Sequence, residues 1–369
     1  MKRQLSILFA LLLILLSALP ALAQAEVDVS AAVDWLQSQV REDGGFSSDF
    51  EEASGVGPTT DSVFAAVSAG ADISTWGEEA SPLDFLATNA SEVDSSGLLA
   101  KLILSAVATG QDPTNFGGVN LVERLMEQYN PDTGRFEGIV TDHAYAMLAL
   151  SAAGEEIPDQ ARQALIDLQG DQGGWSFDGE GQPDTNTTAL AIQALIAADE
   201  PVDSTPIVTA LAFLRSQQNP NGGFPYQTPS EFGTESDANS TAWVIQALLA
   251  ADQNLSQWGN PQEFLASLQM ENGAFQWQEG VEGSNLLATT QAVPALEEVT
   301  FLELPVVQAS EEPTVMEEAA PEMEEEAAPE TEAPETLPES GGALPWAAIA
   351  AVGVILLLGG SVLGRLAVR

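Results

Sequence analysis

The sequence predicts an all-α body of six helical hairpins, with one helix of each hairpin in an inner ring and the other in an outer ring. Two observations lead there. The first is a passage that occurs twice in nearly the same words. Gln169-Gly-Asp-Gln-Gly173-Gly-Trp175 runs on to Asp184-Thr-Asn-Thr-Thr-Ala189 and an apolar stretch. Gln218-Asn-Pro-Asn-Gly222-Gly-Phe224 runs on to Asp237-Ala-Asn-Ser-Thr-Ala242 and another. Self-similarity at a fixed period marks stacked copies of one supersecondary unit. The second observation is a contrast within each unit. The first helix is amphipathic, as at Val208, Leu211, Ala212 and Leu214, whereas the second is Ala-rich and apolar nearly all round. A helix apolar on every side must be buried on every side, which suits an inner ring.

The elements follow in order. Lys2 and Arg3 precede an apolar run from Leu5 to Leu16 and an Ala21-Leu-Ala23 or Ala23-Gln-Ala25 site, so residues 1–25 read as a secretory signal peptide. The body, 26–302, then divides on its glycine turns. Unit one has Trp35-Leu-Gln-Ser-Gln39, Gly44-Gly-Phe46, Thr59-Thr-Asp61 and the run from Val63. Unit two has Asp84-Phe-Leu-Ala87, Asp94-Ser-Ser-Gly97 and the run from Leu98, without the aromatic turn. Unit three has Leu125-Met-Glu-Gln128, Gly134-Arg-Phe136, Thr141-Asp-His143 and the run from Ala144. The repeated passages are units four and five. Unit six has Gln269, Gly273-Ala-Phe275, Gly283-Ser-Asn285 and Leu286 to Leu296. Ser, Thr, Asp and Asn before each second helix are good caps for its free amides.

Residues 303–344 form a Glu-, Pro- and Ala-rich stalk without a basic residue, expected to stay extended and disordered. Residues 345–364 are almost wholly apolar. Twenty residues at about 1.5 Å each would span a bilayer, and the basic tail 365–369 places the C-terminus inside the cell. The membrane is thus an expected partner through this helix.

Cysteine is absent, which excludes disulfides, thiolate metal sites and Cys nucleophiles. Against 55 acidic residues only ten are basic, giving a net charge of −45, a field that disfavours nucleic acid. No cofactor is expected.

The Gln-x-x-x-Gly-x-Trp/Phe turn resembles the repeat of squalene cyclases and protein prenyltransferase beta subunits, which implies an α6/α6 toroid over the whole body. In the cyclases the acid sits in an Asp-x-Asp-Asp-Thr-Ala motif. Here Asp184 matches its first Asp while Asn186 and Thr187 replace the next two, and in unit five Asp237 matches while Asn239 and Ser240 replace them. An amide has no proton of the kind that protonates an alkene. The prenyltransferase zinc site needs Asp, Cys and His; His143 is the sole histidine and there is no Cys. Separately, Leu337-Pro338-Glu-Ser340-Gly341 ahead of the apolar span resembles a sortase sorting signal, with Ser340 for the usual threonine; this implies sortase and the cell wall as partners, and a plain membrane anchor is the other reading.

A ring of polar helix starts remains: Asp61, Asp142, His143, Asp184, Asn186, Asp237, Asn239 and Asn285. They read either as helix caps or as a polar mouth that binds an apolar or glycan ligand. His143 reads as a capping or rim histidine, or as a ligand or base. Each aromatic pair offers a first ring to wedge between hairpins and a second, Phe177, Tyr226 or Trp277, to line the mouth. The sequence therefore points to an exported, surface-anchored module without catalysis. The alternative is an enzyme acting on an isoprenoid or other lipid with an acid elsewhere.

Overall fold

A computed structural model describes residues 27–49, 51–231 and 233–305. The signal peptide, the stalk from residue 306 on, the Leu337–Gly341 motif and the C-terminal span lie outside the described residues. Among the described residues no helix is long and apolar enough to cross a membrane.

Among the described residues twelve α-helices alternate between two roles. The outer ones are α1 (Val29–Ser38), α3 (Pro82–Asn89), α5 (Leu121–Glu127), α7 (Asp159–Asp167), α9 (Thr205–Gln217) and α11 (Pro261–Ala266). The inner ones are α2 (Val56–Ser68), α4 (Ser96–Ala108), α6 (Val140–Ala152), α8 (Thr185–Ala197), α10 (Ala238–Ala250) and α12 (Leu286–Leu296). Each inner helix packs on the next, and α12 packs back on α2, so the ring closes. The inner helices bury most of their residues while the outer ones bury a stripe, as the amphipathic pattern requires. The stripe of α9 is turned from the expected one. Ile207, Ala210, Phe213, Leu214 and Gln217 are buried, whereas Val208 is half exposed.

A glutamine side chain fastens each of the last three turns. Gln169 donates to Gly173 O at 2.7 Å and to Pro206 O of α9 at 2.8 Å. Gln218 donates to Gly222 O at 2.8 Å and to Trp258 O ahead of α11. Gln269 donates to Gly273 O at 3.0 Å and to Asp28 O at 2.7 Å, and accepts from Asp28 N at 2.8 Å. Asp28 caps α1, so this last pair fastens unit six to unit one. The approach is close enough to require glycine: at Gly273, φ +89°, an added Cβ would lie 2.1 Å from Ala31 O. Unit two uses another device. Arg124 of α5 reaches back to Ala90 O at 3.1 Å, Ser91 O at 3.2 Å and Asp94 at 2.9 Å. The turn of unit three is a short antiparallel pair, β1 (Tyr129–Asn130) with β2 (Arg135–Phe136).

Two of the expected helix starts lie inside their helices. Helix α2 begins at Val56 after Gly55, so Thr59, Thr60 and Asp61 fall in its first turns. Helix α6 begins at Val140, so Asp142 and His143 are its third and fourth residues. In both cases the chain enters the helix before the polar cluster, and Thr59 and Asp142 reach back to Gly55 O and Ile139 N at the helix start.

Candidate functional site

The starts of α8 and α10 are built alike. In α8 one oxygen of Asp184 accepts from Thr187 N at 2.7 Å and the other from the Thr187 hydroxyl at 2.8 Å. In α10 Asp237 makes the same pair with Ser240, both at 2.8 Å. Burial pushes each carboxyl up to about 6, while these hydrogen bonds pull it down. Both oxygens of each acid thus bind their own helix terminus and leave no proton aimed at open space. Asn285 caps α12 through Ala288 N at 2.7 Å.

The next motif position is a staple. Thr188 accepts the amide of Trp175 at 3.0 Å, Thr241 that of Phe224 at 2.9 Å, Thr289 that of Phe275 at 2.9 Å and Thr59 that of Phe46 at 2.9 Å. These first aromatics are fully buried between hairpins. In unit three His143 stands in for the threonine. Its Nδ1 accepts Phe136 N at 3.3 Å and its Nε2 lies 3.0 Å from Ala161 O, which makes it a neutral ring protonated on Nε2. Burial holds its pKa down at about 4. With no exposure and both nitrogens engaged, His143 meets only the protein.

The second aromatics clip one repeat to the one before through their backbones. The first amides of α6, α8 and α10 donate to Phe177 O at 3.2 Å, Tyr226 O at 2.9 Å and Trp277 O at 2.8 Å. Tyr226 and Trp277 keep 45% and 43% of their surface exposed. At the closing seam Asp49 takes this part, its carboxylate accepting from Asn285 Nδ2 at 2.8 Å and Leu286 N at 3.4 Å.

Around the lumen Asp61 pairs with Lys101 at 2.8 Å, and the ammonium stands 5.2 Å from the centre of the Tyr145 ring. Burial pushes Lys101 down, but Asp61, Tyr145 and Asp142 outweigh it and hold it above its usual range. Asp142 is pushed up by burial despite a bond from Ile139 N at 3.1 Å. Gly97 makes room for it, since a Cβ there would lie 2.1 Å from its carboxylate. Asn239 donates to Gln291 at 2.9 Å, and Asn186 accepts from Thr185 at 3.1 Å. The predicted polar residues are therefore spread one or two to a helix around the ring, most of them bound to neighbouring protein groups.

Below them the lumen is filled by a residue that no repeat contains. The chain leaving α12 turns inward and inserts Phe301, stacked on Phe64 at 4.5 Å and on Trp243 at 5.9 Å, with Tyr145 edge-on at 5.8 Å. Its amide donates to the buried Gln193 at 3.2 Å. A cavity of about 20 Å³ is left there between Asp61, Tyr145, Trp243, Gln246 and Phe301. That is room for about one water.

Comparison with known proteins agrees with the architecture. The family profile of the squalene-hopene cyclase C-terminal domain matches residues 140–285, and that of the prenyltransferase alpha-alpha toroid domain matches residues 3–94. The fold is an α/α toroid. No curated protein matches the sequence. Among solved structures, apo type II terpene cyclase MstE from Scytonema is similar at TM-score 0.57 and 15% identity, covering 73% of this chain and 96% of that one. An MstE variant in complex with its substrate, geranylgeranyl dihydroxybenzoate, aligns at TM-score 0.58 and 14% identity, covering 73% and 95%. A glycosidase variant in complex with glucose aligns at TM-score 0.53 and 10% identity, also covering 73% and 95%. At such identities the likeness is one of fold, and the two chemistries differ.

The repeat and its caps were readable in sequence. The staple role of Thr188, Thr241 and His143, the Asp61–Lys101 pair and the Phe301 insertion were not. The Thr-Ala match at the end of the motif was the available signal for the staple.

Proposed function

We propose that this toroid is an exported, surface-anchored binding or interaction module that does not catalyse a reaction in its lumen. The observation that carries this reading is Phe301. Ring-to-ring stacking on Phe64 and Trp243 fills the space an isoprenoid would need, and the volume left is about 20 Å³. Further support comes from the acids. Asp184 and Asp237 are spent on helix caps, and Asp61 is held by Lys101. In this reading the segments outside residues 27–305 serve export and anchoring: a signal peptide, an acidic stalk and an apolar C-terminal stretch, with sortase cleavage after Ser340 as the second route to the wall.

The test is native mass spectrometry of the full-length protein in detergent, followed by incubation with squalene and with isoprenoid diphosphates. A mass free of bound lipid and no cyclised product are the expected results. Turnover of either substrate, lost in Asp61→Asn, would overturn the reading and install the lumenal acid as catalyst.

A further inference from the structure

A second opening in the described body lies at the closing seam, beside a position where unit one departs from the later repeats. In units four to six the residue two places after the wedge aromatic is Phe177, Tyr226 or Trp277; in unit one that place holds Ser48. Beside this position lies a pocket of about 360 Å³, lined by Trp35, Gln39, Arg41, Ser48, Asp49 and Ser284 among others. It opens beside the start of α12, where Asp49 clips Asn285 and Leu286.

The lining has an unusual composition for this chain. Arg41 is one of few basic residues in a strongly acidic protein, and it forms no ion pair among the described residues. Among the described residues its guanidinium makes one long contact, 3.4 Å to the Ser47 hydroxyl. The Ser48 hydroxyl is buried and has no hydrogen-bond partner among the described residues. Such a group in a native fold points to something that completes it. Beside these stands Trp35, partly exposed. Burial pushes the Asp49 carboxyl up while the Leu286 amide pulls it down.

An indole, a guanidinium, a carboxyl, an amide and hydroxyls around a space this size are the groups that hold a sugar ring. The apolar face of the ring stacks on the indole, and the hydroxyls pair with fixed donors and acceptors. We infer that the seam pocket binds a neutral pyranose, stacked on Trp35 with its hydroxyls on Arg41, Ser48 and Asp49. Neutral, because the field of a chain with net charge −45 repels an anionic glycan. The inference rests on the binding-module reading above, but its pocket is separate from the lumen.

Titration of the full-length protein with glucose, galactose and glucuronate, followed by tryptophan fluorescence and saturation-transfer NMR, tests it. A neutral sugar should bind on the order of millimolar, with glucuronate weaker. Trp35→Ala should weaken binding by about tenfold or more. Ser48→Phe restores the aromatic of the other units, and should abolish binding without lowering the melting temperature. No binding of any of the three, binding that survives both variants, or a preference for glucuronate would overturn the assignment. Absence of sugar binding with a lipid-free, inactive lumen would fail this site alone, whereas turnover of squalene would fail the module reading.

Discussion

The lumen and the rim of this toroid are held by opposite means. In the lumen Phe301, Phe64, Trp243 and Tyr145 meet ring against ring, and the single ion pair lies to one side. At the rim nearly every contact described is a directed hydrogen bond between a side chain and a backbone group: a wedge amide donates to threonine or His143, a helix-start amide to Asp, and Gln donates to a turn carbonyl. Apolar contact is indifferent to protons and sensitive to volume. Directed bonds to titratable groups are the reverse. The same fold thus carries one region that answers to size and another that answers to pH.

The largest expected effect is on the lumen. Phe301→Ala removes the stack and leaves a cavity, at a cost of about 3–5 kcal/mol in urea unfolding. If the body loses less than about 1 kcal/mol, the inserted residue is an ornament of the lumen and not its filling. Phe301→Leu should recover about half of the loss.

The rim is tested by acid. His143 has a folded pKa of about 4, below the ordinary 6.5, so the unfolded chain takes up its proton first. Its contribution is full above about pH 6.5 and is lost as pH falls toward 4, to a limit of about 3 kcal/mol. Asp184 and Asp237 run the other way. Their folded values near 6 lie above the ordinary 3.8, so the folded state binds protons first and gains stability as pH falls from about 6 to 4. In the wild type these slopes oppose each other. His143→Thr supplies the hydroxyl that serves four other units and removes the histidine slope. Melting at about pH 7 and pH 4.5 should show the variant more acid-tolerant than the parent. Equal acid sensitivity in the two proteins would show that His143 is not the acid-labile element of the rim.

The smallest effect belongs to the closing bond. Gln269→Ala removes three hydrogen bonds, two of them across the seam and readily replaced by water, and should cost about 1–2 kcal/mol. Gln169→Ala, inside the row of repeats, is its control. A larger loss at Gln269 than at Gln169 marks the closing seam as the weaker one.

What the sequence disclosed follows the same division. The hairpins were legible because their signals are local: the glycine turn, the apolar run, and the caps at Asp184, Asp237 and Asn285 all act within a few residues. The inner helix read as Leu286 to Leu296 has those limits in the structure. The helix starts at Asp61 and His143 were misplaced because Gly55 and Ile139 begin their helices without a side-chain signal. Phe301 was hidden for a different reason. It follows the last repeat, belongs to no period, and acquires its partners only when α2, α6 and α10 have been brought around a common axis. Ser48 was equally silent, since its significance depends on unit six returning to unit one.

That return has a consequence for how the body comes apart. In an open row of repeats the two end units have one neighbour each, fray first and need polar caps. Here Gln269 holds Asp28 and α12 lies on α2, so every hairpin has two neighbours and none is terminal. Losing one hairpin strips a face from two others at once. The ring should therefore unfold as a single event, with no partly frayed species along the way, and its cooperativity is set by closure and not by the stability of any one repeat.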